Sequence, residues 1–360
     1  MVKAKRRKRS PRFVEIAAEA GVSPATVDRV LNERGSASEQ ARRKVIAAAQ
    51  KLGVPRILPS PAHELIHLDV LLPDNKSPFF LRLRSALASA CAFLDKRIVV
   101  HRRVVPEADH GSLVRAIAKP NYRRRGLIVA APDTIEVRAA LRDACERGEA
   151  VVTVVSDVID VPGIMYFGID NYRAGRTAGL VMSRFARRAG RVLFLSGRSD
   201  WAAHKLRTAG CRDVITETFP ALRCDPSAFD TLDDDDRCYL ALAEALQTSE
   251  IAGVYNSGAG SAGIKRALER FDIERAVVWI THELSDDHRA YLRSGALTLV
   301  IDQDPDMQAT SAMRYLVQRT AAEADPSGLA PKCEFRVYFS ENATEEEYLP
   351  ASRFPPNGER

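Results

Sequence analysis

The sequence predicts two folds in one chain: a small all-α, three-helix module near the N-terminus and a larger two-lobed α/β body with doubly wound parallel sheets. Three observations predict this. The chain has 360 residues, more than one ordinary core organises, so two or three domains are expected. Charge is divided unevenly. Residues 1–60 hold 14 Lys+Arg and 5 Asp+Glu, the other 300 hold 39 and 42, so a module of +9 precedes a body of −3. Finally, from about Leu65 short apolar runs alternate with helical stretches, the pattern of buried parallel strands and their crossovers. Hydrophobic residues at 46% and charged residues at 28% exclude a mostly disordered chain.

The basic arm comes first, with six Lys/Arg in residues 3–9. "FVEIAAEAGVSPATVDRVLNERG" then reads as two short helices around a tight turn. Val14 to Ala20 is rich in Ala and Glu, which suits a helix, and Gly21 is placed to end it in a left-handed conformation. Ser23 can cap the next helix, with Pro24 at its first position. In that second helix Val27, Val30 and Leu31 share one face, and Ala25, Asp28, Arg29 and Asn32 share the other. Gly35 and Ser36 break the chain. A third helix is expected from about Ser38 to Leu52, burying Val45, Ile46, Ala49 and Leu52. A polar helix held outward by two others fits the DNA major groove, although a three-helix module also serves protein binding or nothing. The arm favours nucleic acid, because that many cations make phosphate contacts. So does Arg29, whose fork matches guanine O6 and N7.

"EIAAEAGVSPATVDRVLN" followed by "ARRKVIAAAQKLG" closely resembles the DNA-binding headpiece of the lactose-repressor (LacI) family over about residues 13–54. The resemblance implies that Ser23, Thr26 and Asn32 hold phosphates and that Pro24, Ala25 and Arg29 face base edges. Two features depart from the family. Asp28 stands where Ser is usual. A carboxylate there repels phosphate, so it either accepts from a cytosine amino group or pairs near Arg29. The family's hinge helix, which wedges a leucine into the minor groove, would fall in "GVPRILPSPAHE". Pro55, Pro59 and Pro61 disfavour a helix there, leaving Leu58 a weak wedge. Residues 55–64 are expected to be a Pro-rich linker.

The body supplies strand candidates at "LIHLDVLLP", "RIVVHRRVV", "GLIVAAP", "AVVTVVS", "MYFGI", "RVLFLSG", "IAGVYNS", "AVVWITH" and "LTLVIDQ". Helical stretches lie between most of them, including Phe80 to Leu94, Ile135 to Arg147, Ala174 to Arg188, Asp236 to Gln247 and Pro305 to Thr320. Nine strands suggest two lobes. The acidic run Asp233 to Asp236 is read as a solvated loop capping the next helix, and "HELSDDH" (His282 to His288) as a cleft loop rather than a metal site.

This body resembles the periplasmic sugar-binding-protein fold that LacI-type regulators use as a sensor. The carrying segments are "PDNKSPFFLRLRSALASA", "GIDNYRAGRTAG", "HKLRTAGCRDVI", "YNSGAGSAGIKRAL", "WITHEL" and "VIDQDP", in the family's order. The whole is then an all-α three-helix helix-turn-helix headpiece joined to a two-lobed α/β periplasmic-binding-protein-like (type I) domain with doubly wound parallel sheets. The resemblance implies lobe 1 at about 65–167 and 303–331, lobe 2 at about 168–302 and 332–350, and a tail at 351–360. The chain would cross between lobes near Gly168, Asp302 and Lys332, with ligand in the cleft at the carboxyl ends of the strands.

Carried over by position, Phe79 and Phe80 would stack on a sugar ring, or else pack as ordinary core at a helix start. Ser77 would make a polar contact. Asp157 would accept sugar hydroxyls. Arg207 would clamp ligand, with Lys205 and His204 as neighbours able to substitute. Asn256, Ser257, His282, Glu283 and Gln303 end strands facing the cleft. Asp170 and Asn171 look like crossover structure. Carboxylate, amide and aromatic groups together suit a neutral polyhydroxylated ligand better than a nucleotide.

Rival classes are weaker. Gly258, Gly260 and Gly263 form G-x-G-x-x-G after a strand, with Glu283 twenty residues beyond Gly263, the layout of a dinucleotide site. An NAD-dependent oxidoreductase is therefore the alternative, though no catalytic constellation accompanies it. There is no G-x-S-x-G elbow, and the six scattered cysteines suit reduced thiols rather than disulfides or zinc. No apolar run approaches the ~18–20 residues that span a bilayer. The basic start lacks an apolar stretch, so a secreted transporter subunit is not expected. The expectation is a cytoplasmic, homodimeric transcription regulator, by resemblance a repressor. It would bind near-palindromic operator DNA under control of a small sugar or polyol, with no enzyme activity, cofactor, metal or membrane partner.

Overall fold

A computed structural model of the chain describes residues 13–32, 37–54, 65–92, 94–321 and 333–343. The basic arm, the Gly35–Ser36 break, the linker with Leu58, the third crossing near Lys332 and the C-terminal tail lie outside the described residues. The chain divides into two compact units, residues 1–65 and residues 66–360.

In the first unit, α1 (Phe13–Ala20), α2 (Pro24–Leu31) and α3 (Glu39–Lys51) surround one small core. Gly21 has φ +63, the left-handed turn that ends α1. Ser23 caps α2, its Oγ accepting from the Thr26 N–H at 3.2 Å, with Pro24 at the first helical position. Ser38 caps α3 in the same way. The core holds Ile16, Ala17 and Ala20 from α1, Val27, Val30 and Leu31 from α2, and Val45, Ile46, Ala48 and Ala49 from α3. Leu52 is only partly buried against it. The 3.6-residue period of α2 therefore forces Pro24, Ala25 and Arg29 outward.

The second unit contains two sheets. The first is built from β1 (Ile66–Pro73), β2 (Ile98–Val105), β3 (Arg124–Val129), β4 (Ala150–Val154) and β5 (Ile164–Phe167) in the order β2-β1-β3-β4-β5. All its pairings are parallel. Helices α4 (Pro78–Cys91), α5 (His110–Ala118) and α6 (Ile135–Glu146) are its crossovers. The second sheet is built from β6 (Gly190–Ser196), β7 (Leu222–Cys224), β8 (Phe229–Asp230), β9 (Ile251–Asn256), β10 (Val278–His282), β11 (Leu299–Asp302) and β12 (Arg336–Tyr338). Its order is β12-β11-β10-β9-β6-β7, with β8 also on β6, and only β12 is antiparallel. Its helices are α7 (Asn171–Phe185), α8 (Ala202–Thr218), α9 (Asp235–Thr248), α10 (Ser261–Arg270) and α11 (Asp286–Ser294).

Apolar strands buried on both faces explain the near-continuous runs of Val, Ile and Leu. Helix α12 (Pro305–Ala321) follows β11 of the second sheet, yet Ala309, Ala312, Met313 and Leu316 pack into the core of the first. The chain thus passes from one sheet to the other between β5 and α7 and again between β11 and α12. Two loop expectations need correction. The stretch His282 to His288 is not all loop: Ser285 caps α11, so Asp286 to His288 form its first turn. In the acidic run, Asp234 does cap α9, but Asp233 is drawn inward and half-buried.

Candidate functional site

On α2 of the first unit, Ser23, Pro24, Ala25, Arg29 and Asn32 are exposed, while Thr26 and Asp28 are half-buried. Ser23 Oγ and Thr26 Oγ1 lie 2.9 Å apart. Arg29 folds back along its own helix, Nε donating to the Ala25 carbonyl and Nη2 to Thr26 Oγ1, both at 3.3 Å. Such long bonds are readily exchanged for a better acceptor. Asp28 accepts from the Asn32 side-chain amide at 2.6 Å, so its carboxylate is engaged one turn along rather than beside Arg29.

In the second unit a cavity, partly open to solvent, lies where the carboxyl ends of both sheets face each other. Ser77, Phe79, Phe80, Arg207, Ser257, His282, Glu283 and Gln303 line it, as does His204. The apolar wall is an aromatic cluster. Phe79 and Phe80 meet edge to face at 5.3 Å, and Phe80 meets Trp201 at 6.1 Å. The polar wall centres on Arg207 of α8, which is buried. Its Nε donates to Asn171 Oδ1 at 2.8 Å, Nη1 to the Ser257 carbonyl at 2.9 Å, and Nη2 to Gln303 Oε1 at 2.5 Å. Gln303 in turn donates to Glu283. Asn171 follows β5 and Gln303 follows β11, so one guanidinium is tied to both strand-to-helix passages between the sheets. Asn171 thus has a structural role beside Arg207, as a crossover residue.

Burial dominates the titration behaviour. It pushes Glu283 up to about 8, with Asp302 adding to the shift, so this side chain is a neutral acid at pH 7. His204 is pushed down to about 4 by burial and then by the Arg207 charge, and His282 is lowered by the same two causes. Glu107 rises to about 7, through burial and then through Asp233. Asn75 Nδ2 donates to Asp233 Oδ2 at 2.8 Å and to Glu107 Oε2 at 3.2 Å. One amide from the first sheet therefore joins carboxylates of both lobes.

Three expected residues do not reach the cavity. Asp157 turns back on its own strand, Oδ1 accepting from Val158 N–H at 2.9 Å and Thr153 Oγ1 at 3.3 Å. The cause is the sharp turn at Val155, a β-branched residue at φ 70, which presents Val155 itself to the cavity. Lys205 is exposed in a separate hollow with Arg212 and Asp230. On a helix, 204 and 207 share a face and 205 does not. Asn256 is buried and shapes its loop, donating to the Ala259 carbonyl and accepting from Gly258 N–H. Conversely, Glu107, Arg198, Trp201, Asp233 and His288 line the cavity without having been named as ligand contacts. Glu107 was detectable: it follows β2 at the carboxyl edge where ligands bind in open parallel sheets.

The glycine turn has a packing explanation. A Cβ on Gly263 would lie 1.7 Å from the Asp235 carbonyl oxygen, and one on Gly258 would lie 2.5 Å from Asp233 Oδ1 and from Gly197 N. The chain itself fills the space a pyrophosphate would need, and Asp233 and Asp235 would repel one.

A helix-turn-helix unit carried with a two-lobed cleft protein defines a ligand-sensing regulator. The chain belongs to the periplasmic binding protein domain family, whose model matches residues 68–324, and its residues 13–54 match the bacterial regulatory proteins of the lacI family. The ribose operon repressor of Bacillus subtilis is 46% identical over 74 residues, which are 19% of this chain and 22% of that protein. The match therefore spans about a fifth of that relative's length. Among solved structures, a solute-binding protein from Burkholderia graminis in complex with D-arabinose superposes with TM-score 0.70 at 18% identity, covering 79% of this chain and 99% of that one. A glucose-galactose binding protein from Geobacillus stearothermophilus gives 0.70 at 17%, covering 78% and 99%. A solute-binding protein from Bacillus halodurans with bound myo-inositol gives 0.70 at 15%, covering 79% and 98%. These likenesses establish the two-lobed fold. Among the described residues no helix is long and apolar enough to cross a membrane.

Proposed function

We propose that this protein is a cytoplasmic transcription repressor, acting as a homodimer, whose affinity for a near-palindromic operator is set by a small sugar or polyol bound between its lobes. In this reading Arg29, Pro24 and Ala25 face base edges, while Ser23, Thr26 and Asn32 hold phosphates. Asp28, tied to Asn32, limits phosphate attraction at that corner. Two copies place their α2 helices in successive major grooves about one helical turn apart.

The observation that carries the sensor reading is the grip of Arg207 on Asn171 and Gln303. A ligand touching Arg207 acts on both passages between the lobes at once. The lobes also meet directly, through Asp133 N–H to the Asp200 carbonyl at 3.0 Å and Ala203 N–H to Ser156 Oγ at 3.1 Å. Ligand therefore selects among lobe arrangements through differential contacts, which is what coupling to DNA affinity requires. The aromatic trio supplies apolar faces for a sugar ring, and the relatives named for ribose, arabinose and inositol point to that class. The test is a thermal-shift screen against pentoses, hexoses, polyols, inositols and their oxidised derivatives, since a cleft ligand raises Tm by mass action. A hit should also change operator affinity. A screen with no hit among these compounds would remove the sugar assignment.

A further inference from the structure

Two buried groups of the cleft, Arg207 and His282, have hydrogen-bonding capacity that the chain does not use. Arg207 uses three of its five N–H groups, on Asn171, the Ser257 carbonyl and Gln303. All three acceptors are neutral, and among the described residues no carboxylate forms an ion pair with this guanidinium. Each terminal nitrogen keeps one hydrogen unused. His282 is the second group. Its Nε2 lies 2.9 Å from the Tyr255 hydroxyl, while its Nδ1 is buried with no partner. Tyr255 is held as a neutral phenol by burial. Where that hydroxyl donates to Nε2, the ring proton sits on Nδ1 and is left for an acceptor on the ligand. Both residues line the same cavity.

We propose that the effector presents a carboxylate to Arg207 and His282, so that it is a sugar acid, an aldonate or uronate, rather than a neutral sugar. This inference rests on the sugar-effector reading and replaces the neutral ligand expected from the sequence. A ligand hydroxyl brings a hydrogen that needs its own acceptor and leaves the buried guanidinium charge uncompensated. A carboxylate brings lone pairs, no hydrogen and one negative charge, and it fits the guanidinium fork. The lining carboxylates do not prevent this. Glu283 is a neutral acid at pH 7. Glu107 and Asp233 also border the neighbouring hollow, whereas Arg207, His282, Glu283 and Gln303 line only the inner cavity. Arg198 also lines the wall, with its charge already paired to Asp200.

The experiment is calorimetric titration of the full chain at pH 7.5 with matched compounds: D-glucose, D-gluconate and D-glucuronate, then the galactose set, then pentoses and their acids. The expected result is an acid binding about 10- to 100-fold tighter than its neutral parent, the range for hydrogen bonds to a charged group. Arg207→Gln should reduce that preference to within about threefold. Arg207→Lys should retain part of it, keeping charge without the fork. The wild-type comparison stands even where a variant fails to fold. Neutral parents binding as tightly as their acids would overturn the proposal and leave the sugar reading intact. An acid preference that survives Arg207→Gln would overturn the assignment to Arg207. No binding in any set would overturn the sugar reading as well.

Discussion

The outward face of α2 draws its residues from one stretch, Ser23 to Asn32, supported by a core of ten small and branched side chains. The cleft draws its wall from loops and helix starts of both lobes between residues 77 and 303. In the first, the helix backbone holds every position, and coupling is confined to the pairs Ser23–Thr26, Arg29–Thr26 and Asp28–Asn32. In the second, Arg207, Gln303 and Glu283 form one chain of hydrogen bonds, so a change at one position is felt at the next. The difference predicts nearly additive effects in the headpiece and coupled effects in the cleft.

The sharpest way to separate the regions is to unfold one of them. Leu31 is 3% exposed in the headpiece core, and Leu31→Ala should cost about 2–5 kcal/mol. A module this small has little stability to lose. Operator binding should disappear in a mobility-shift assay while calorimetric ligand affinity is unchanged. The complementary change is Phe80→Ala with Arg207→Ala, which should abolish the ligand response and leave operator binding measurable. Retained induction would mean that the cavity is not the effector site. Arg29→Ala should lose about 1–3 kcal/mol of discrimination between operator and random DNA, with a smaller loss of affinity for random DNA. A uniform loss would make Arg29 a phosphate contact.

Titration gives a fourth test. The folded pKa of Glu283 lies at about 8, above its unfolded value. Its stability contribution is therefore full at low pH and falls as pH rises towards 8, by about 1.4 kcal/mol per unit. Buried histidines, lowered in the fold, act oppositely and only below about pH 6.5. Glu107 stops contributing near pH 7. Melting curves of ligand-free protein between pH 7 and 8 should thus show Tm falling, and Glu283→Gln should flatten them. The smallest effect belongs to Asp28→Ser. Removing one carboxylate near phosphate should raise affinity only a few-fold and steepen its salt dependence slightly. An unchanged salt slope would mean that Asp28 faces a base.

All nine strand candidates form strands, most because parallel strands buried on both faces need apolar runs visible without tertiary context, while the edge strand β2, of mixed burial, is marked by the apolar residues at its two ends. β7, β8 and β12 escaped notice because strands of two or three residues have no such run. α11 was hidden because the capping Ser285 sits inside a run of charged residues that resembles a loop. In the cleft, Phe79, Phe80, His282 and Gln303 were legible as residues following strands, and Arg207, inside α8, through the family resemblance. Asp157, Lys205 and Asn256 were equally placed along the chain, but side-chain direction decides. A left-handed turn at Val155, a 100° step along α8 and an Asx turn at Asn256 each aim the group away. Glu107 and Asp233 were passed over because a carboxylate after a strand or in an acidic run is usually solvated, and only Asn75 bridging them reveals an inward role.

The central claim, that one ligand in the cleft sets the affinity of the headpiece for DNA, has a direct test. Full-length protein is used to select its sites from random DNA. The affinity for the selected site is then measured by fluorescence anisotropy while the cleft ligand is titrated. The account predicts a change of at least tenfold, half-complete near the calorimetric dissociation constant, with the reciprocal change in ligand affinity when DNA is saturating. Equal DNA affinity with the cleft empty and filled would contradict it.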